Sequence, residues 1–350
     1  MSLWRFISFA LFLCLSLRVT ASEVLPTVRV AALSYGSASW ELQVMKAEGL
    51  DRAHGFDLAI VTTQSPAAAA IAIQGGSADV SVQDWLWVLR QYQGGRAFRF
   101  YPFSTAVGSL MVPANGAREI DELRGEPVGI AGGAADKGWV LLSQWYLSRR
   151  GASLAAQLEP KFASPPLLNQ LAMRGDLAGV LTYWHYAARL EAQGFRTLMS
   201  VTDVLAALGV DEPVAMLGWV FADQLATQQP QLMDQFILAS MMTKQRMAAS
   251  DVVWRAAEPW MRAENAREKQ LLINGFRAGI PGPFNDRAKA AISRVAAIYL
   301  TRTDSNGEAS PVLNSSSSTG PLISASGAAE AKVLTDAGLF INDPSSVASQ

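Results

Sequence analysis

Apolar residues in this chain come in short runs, each followed by a loop of small residues and then by a stretch of helical spacing. Val28-Arg29-Val30-Ala31-Ala32-Leu33 predicts a strand, and Ser34-Tyr35-Gly36-Ser37-Ala38-Ser39 its loop. Trp40 to Glu48 then sets Trp40, Val44 and Ala47 on one helical face, closed by Gly49. Leu58 to Val61 predicts a second strand. Ser65-Pro66 starts another helix, with Ser as cap and Pro at the first helical position, and Gly75-Gly76 stops it. A third unit follows: Ala78-Asp79-Val80-Ser81-Val82, then Asp84, placed to cap a helix over Trp85 to Tyr92. Phe98 to Phe103 and Gly108 to Val112 predict two further strands.

A second set of units begins at Glu119. Ile120 to Gly125 predicts a helical turn, Pro127 to Ala131 a strand, and Gly132-Gly133-Ala134-Ala135 its loop. Asp136 to Arg150 is a helix carrying Trp139, Leu142, Trp145 and Tyr146, ended by Gly151. Lys161 to Ala163 predicts a short strand, Pro165 to Arg174 a helix and Ala178 to Thr182 a strand running into Tyr183-Trp184-His185-Tyr186. Phe195 to Ser200 and Ala215 to Phe221 are the last strands. From Ala222 to about Leu300 the pattern is helical, broken at Gly279 to Pro283. Repeated strand-loop-helix units make an open α/β fold, which binds ligands at the carboxyl ends of its strands.

The two ends differ from the middle. Met1 to Arg5 is a positive start, Phe6 to Leu17 an apolar core too short to span a bilayer comfortably, and Val19-Thr20-Ala21 a cleavage step. These predict a signal peptide over residues 1–21, cleaved near Ala21, and a mature protein in the periplasm. From about Thr303 the composition turns to Ser, Gly, Ala and Asn, including the run Ser315 to Ser318. It predicts a mobile tail with one short helix near Ala328 to Ala337.

Charge and cysteine usage narrow the chemistry. The formal net charge is −1, with no basic stripe, so nucleic acid is not an expected partner. The single cysteine, Cys14, lies in the predicted signal, which removes disulfides, cysteine nucleophiles and thiolate metal sites from the mature protein. His54 and His185 are the only histidines and sit far apart in sequence, so no metal site is expected and no cofactor is implied. No Gly-x-Ser-x-Gly elbow or Gly-Lys-Ser/Thr phosphate loop occurs. No catalytic residue is assigned. Glu258, Glu264 and Glu268, interleaved with Arg255, Arg262 and Arg267, predict a solvated helix face.

Candidate binding residues gather at the strand ends. Ser34, Tyr35, Ser37 and Trp40 follow the first strand; Gln64 and Ser65 follow the second; Gln83, Asp84 and Trp85 follow the third. Gly133, Ala134 and Lys137 stand in the same relation to the Pro127–Ala131 strand, and Thr182, Tyr183, Trp184 and His185 to the Ala178–Thr182 strand. Backbone N–H groups in such loops suit a polar head, and the aromatics suit a flat or cationic one. Each has a structural alternative: an ordinary turn, the cap of a helix for Asp84, and an interlobe core for Tyr183 to Tyr186.

The order Gly49-Leu50, Gly55-Phe56-Asp57-Leu58, Gly75-Gly76-Ser77-Ala78-Asp79-Val80, and then Asp121-Glu122-Leu123-Arg124-Gly125-Glu126-Pro127-Val128-Gly129, resembles the periplasmic solute-binding proteins of ABC importers. The branch is the one serving nitrate, taurine and other sulfonates, and the thiamine pyrimidine. The likeness runs over roughly residues 27 to 240. Leu171 to Ala178 matches a later step, while Leu177-Ala178-Gly179-Val180 departs from it where the family often has an Asp. The resemblance implies an α/β, two-lobed type II periplasmic-binding-protein fold with a ligand cleft between the lobes. Lobe I would be residues 22–105 plus 215–302, lobe II 106–214, and the tail 303–350. It further implies capture of a small organic solute, delivery to the membrane permease of an ABC importer by lobe closure, no bond chemistry, and a monomer. The alternatives are an enzyme of the same fold, such as a pyrimidine-precursor synthase, and a ligand-sensing or accessory module.

Overall fold

The computed structural model describes residues 24–300, 333–336 and 338–344. The predicted signal at 1–21, and the tail from 303 to 332, lie outside the described residues.

Among the described residues, ten strands form two five-stranded sheets. The first sheet has the order β2-β1-β3-β10-β4, built from β1 (Thr27–Leu33), β2 (Asp57–Thr63), β3 (Val80–Asp84), β4 (Phe98–Ser104) and β10 (Leu217–Ala222). The second has the order β7-β6-β8-β5-β9, built from β5 (Ser109–Pro113), β6 (Pro127–Ala131), β7 (Glu159–Ala163), β8 (Gly179–Thr182) and β9 (Phe195–Ser200). The two sheets share one plan. In each, three strands run parallel: β1 pairs with β2 and β3, and β6 with β7 and β8. In each, the fourth strand is antiparallel: β10 beside β3, and β5 beside β8. These antiparallel strands are the ones by which the chain enters from the other sheet. β4 ends at Ser104 and β5 opens the second sheet at Ser109; β9 ends at Ser200 and β10 returns at Leu217.

The parallel strands read as near-continuous apolar runs because helices cover both of their faces. Val28, Val30, Leu58, Val80, Val128, Ile130 and Val180 are all at most 1% exposed. The helices begin where the sequence places caps. Ser65 Oγ accepts from Ala68 N at 3.1 Å to open Pro66–Gln74, and Asp84 Oδ1 accepts from Trp87 N at 2.7 Å to open Trp85–Gln93. Asp136 Oδ1 accepts from Gly138 N and Trp139 N at the head of Lys137–Arg150. Ser200 and Asp203 form a reciprocal capping box at the head of Val201–Ala207, a helix that the hydrophobic pattern does not announce.

Two regions refine what the pattern predicts. The helical stretch after Ala222 resolves into Asp223–Gln228, Pro230–Ala249, Glu258–Met261, Ala266–Ala278 and Asp286–Leu300. Its charged face is not wholly solvated: Glu268 is 2% exposed and pairs with Arg189. The carboxyl-terminal segment carries the short helix expected near Ala328 to Ala337, but it packs against the first sheet where a mobile tail was expected. Val333–Asp336 is helical, Leu334 is fully buried, and Phe100 N donates to Leu339 O at 2.8 Å while Ile341 N donates to Phe100 O at 3.0 Å. The segment thus bridges β4, which would otherwise be the free edge of the first sheet.

Candidate functional site

The carboxyl ends of β1, β2 and β3 in one sheet face those of β6 and β8 in the other across one ion pair. Lys137 Nζ lies 2.8 Å from Asp84 Oδ2, each side chain 21% exposed. Asp84 is the last residue of β3 and Lys137 the first residue of the helix after β6. Burial opposes both charges. Each partner more than offsets it, so the Asp84 carboxyl is held below its usual range and the Lys137 ammonium above its own. Asp136 is different: burial raises it, and Lys137 with the Trp139 and Gly138 amides only partly offsets this.

Around the pair stand loop residues from both sheets. Ser34 N donates to Thr63 O at 3.0 Å, Ser34 Oγ donates to Gln64 Oε1 at 3.2 Å and Tyr35 Oη donates to Gln64 O at 3.3 Å, so the loops after β1 and β2 are knitted together. Gln83 is buried and donates to Ser81 Oγ at 3.3 Å. In the facing lobe, Gly132 and Gly133 have φ of 83° and 89°, conformations open to glycine at little cost. A Cβ on Gly132 would come 2.5 Å from Tyr183 Oη and 2.8 Å from Asp136 Oδ2. The glycine loop therefore passes directly against the hydroxyl and the carboxylate. Burial raises the Tyr183 hydroxyl well above its usual range, and Asp136, Tyr35 and Asp84 add to it, which places these four groups within one electrostatic neighbourhood. Tyr299 Oη donates to Ala135 O at 2.6 Å and closes this side.

The expected residues divide into groups. Ser34, Tyr35, Gln64, Gln83, Asp84, Gly133, Ala134, Lys137, Thr182 and Tyr183 stand at the facing strand ends. Ser37 opens the helix after β1, and the Ser65 hydroxyl is committed to its helix cap. The tryptophans are packed rather than presented. Trp85 is fully buried in the first lobe. Trp40 is fully buried and donates to Trp260 O at 3.1 Å. Trp184 meets the Trp40 ring edge-on at 5.8 Å. These rings carry interior and interlobe packing, the structural alternative noted for aromatics at such spacings. His185 sits among Trp184, Tyr186 and Tyr183, with its Nδ1 buried and without a partner; burial, with help from Arg189, lowers its pKa to about 3, so it is neutral. Thr182 Oγ1 is likewise buried and without a partner. His54 is half-buried, its Nδ1 2.9 Å from Gln235 Oε1.

Sequence reasoning passed over Asp136 and Tyr299 as site residues. Asp136 carries a readable signal, an Asp ahead of a helix next to two glycines. Tyr299 carries none, because it arrives from a helix more than 160 positions along the chain. A cavity of about 340 Å³ lies elsewhere, behind the crossing segments, walled by Pro102, Pro213, Pro281 and Phe284. Among the described residues, no group of three His, Cys, Asp or Glu side chains could hold a metal, and no helix is long and apolar enough to cross a membrane.

No protein-family profile and no curated protein matches the chain. Solved structures do. The periplasmic aliphatic sulphonate binding protein SsuA from Escherichia coli is 14% identical, with a TM-score of 0.62 over 78% of this chain and 92% of its own. The ligand binding component of an ABC-type import system from Staphylococcus aureus, with zinc bound, is 13% identical, with a TM-score of 0.59 over 84% of this chain and 100% of its own. The desulfurization enzyme DSZB is 16% identical, with a TM-score of 0.54 over 82% of this chain and 94% of its own. The chain has the two-lobed type II periplasmic-binding-protein fold.

Proposed function

We propose that this protein captures a small organic solute outside the cytoplasm and hands it to the membrane permease of an ABC importer. The observation that carries this reading is the meeting of strand-end loops from two like sheets at one ion pair, Asp84 with Lys137. A ligand held there touches both lobes, so its binding energy favours the closed arrangement over the open one. The residues proposed to line the site are Tyr35, Gln64, Gln83, Asp84, Gly132, Gly133, Asp136, Lys137, Thr182 and Tyr183. The lobes divide as the sheets do, with the chain crossing between β4 and β5 and again between β9 and β10. The apolar run and cleavage step before Ser22 support export.

No bond chemistry is part of this reading. The chain's only cysteine is Cys14, ahead of the predicted cleavage step, and His185, its Nδ1 buried and under the influence of the Arg189 charge, is held neutral. The fold shared with a desulfurization enzyme keeps one rival in view, an enzyme using the same cleft. Native mass spectrometry of the protein isolated from its own cells tests the two. Solute capture predicts a small molecule bound one to one and released chemically unchanged. Conversion of that molecule in excess over the protein would overturn it.

A further inference from the structure

We infer that the cleft takes a small organic cation, an alkyl or aryl amine, whose ammonium group docks on Asp84 in place of Lys137; this rests on the solute-capture reading above. In the present arrangement the chain itself supplies an alkylammonium to that carboxylate, at 2.8 Å, from the opposite lobe. An amine ligand offers the same charge and the same N–H donors. The neighbourhood suits it. Asp136 is a second carboxylate adjoining Lys137, and Tyr183, 38% exposed, provides aromatic surface. Thr182 Oγ1, buried and without a hydrogen-bond partner, adjoins Tyr183 in the chain and has acceptor capacity left for a ligand donor.

An anionic head meets the reverse situation. It would have to draw Lys137 away from Asp84 and leave a carboxylate beside the incoming charge, in a site with little water to screen the two. Other nearby cations do not relieve this. Arg189 is committed to Glu268 and to the carbonyls of Met261 and Arg262. Arg90 is exposed on its helix, and Arg262 is exposed on the Tyr186 side. A sulfonate, the ligand class in the name of one structural neighbour, is therefore disfavoured in this cleft.

Calorimetry on the full chain with benzylamine and methanesulfonate as probes tests the inference. The wild type is expected to bind benzylamine and not methanesulfonate. Lys137→Gln removes the internal competitor and is expected to bind benzylamine at least tenfold more tightly. Asp84→Asn is expected to bind it at least tenfold more weakly, while keeping its helix cap, because Asn caps as well as Asp. Methanesulfonate binding to the wild type that is lost in Lys137→Gln would overturn the cation class and leave solute capture standing. Absence of benzylamine binding at millimolar concentration in both the wild type and Lys137→Gln would also overturn the class. Turnover of either probe would instead bring down the solute-capture reading itself.

Discussion

Trp184 sets the Cε3–Cζ3 edge of its indole against Gly275: a Cβ on that glycine would lie 2.8 Å from both of these carbons. The glycine stands in the Ala266–Ala278 helix, where alanine would ordinarily be preferred, so its presence answers to the ring rather than to the helix. Trp184 also touches Trp40, which ties the helix after β8 to the helices over the first sheet. Trp184→Ala is expected to lower the unfolding free energy by about 3–5 kcal/mol, and Gly275→Ala by about 1–3 kcal/mol, read from urea midpoints. Tyr183→Ala, at an exposed position, is expected to stay within about 1 kcal/mol of wild type. Equal losses at positions 183 and 184 would contradict the division between presented and packed rings.

His185 makes stability depend on pH. Its pKa in the fold is about 3 against 6.5 ordinarily, because burial and then the Arg189 charge disfavour the imidazolium. The unfolded chain therefore takes up a proton that the folded chain refuses. The contribution is fully present above pH 6.5 and is lost as pH falls from 6.5 toward 3, amounting to at most about 5 kcal/mol. His185→Gln is expected to flatten the urea midpoint over that window. A midpoint that falls as steeply in the variant as in the wild type would place the sensitivity elsewhere.

The carboxyl-terminal segment extends the first sheet. Phe340 packs against Phe100 at 5.9 Å and Phe284 at 5.4 Å, and Leu334 and Leu339 are buried with it. Phe340→Ala is expected to cost about 3 kcal/mol, and a chain ended after Leu300 to expose β4 to protease and to aggregate. Full solubility and unchanged midpoint in the truncated protein would refute this.

The fold was legible where local chemistry speaks. Ser65-Pro66, Asp84 and Asp136 announce helix starts, and all three cap as their positions suggest. The site was legible as a set of loops but not as a set of pairs. Lys137 stood out as the cation nearest the candidate loops, yet nothing in its spacing from Asp84 tells that the two meet, since 53 residues and a change of sheet separate them. Trp40, Trp85 and Trp184 misled for the opposite reason. A tryptophan beside a strand end has one sequence signature whether it faces a cleft or fills the core, and only the partners across the interface decide. In the tail the expected short helix is met at Val333–Asp336, while the docking of Leu334, Leu339 and Phe340 on the first sheet was not legible, because these residues follow a long serine-rich run that dilutes their apolar signal.

Beneath the first sheet lies a buried charge pair whose role is packing rather than binding. Lys244 Nζ is 2.6 Å from Glu41 Oε2, with side chains 7% and 0% exposed. Ser240 Oγ donates to Glu41 Oε1 at 2.5 Å and accepts from Lys244 at 2.8 Å and from Trp219 Nε1 at 2.9 Å. Lys244 also sits over the Phe103 ring at 4.7 Å. Burial pulls both groups toward neutrality, raising the Glu41 carboxyl and lowering the Lys244 ammonium, and the network holds through their mutual ion pair and the Ser240 hydroxyl that bonds both. Lys244→Met leaves the Glu41 carboxylate without its counter-charge and is expected to cost about 3–5 kcal/mol. Adding Glu41→Leu removes the stranded charge, and the double variant is expected to recover most of that loss. Urea denaturation of the two single variants and the double one reads the difference. Losses that simply add would show that the pair stabilises the fold through shape alone, with no coupling between the charges.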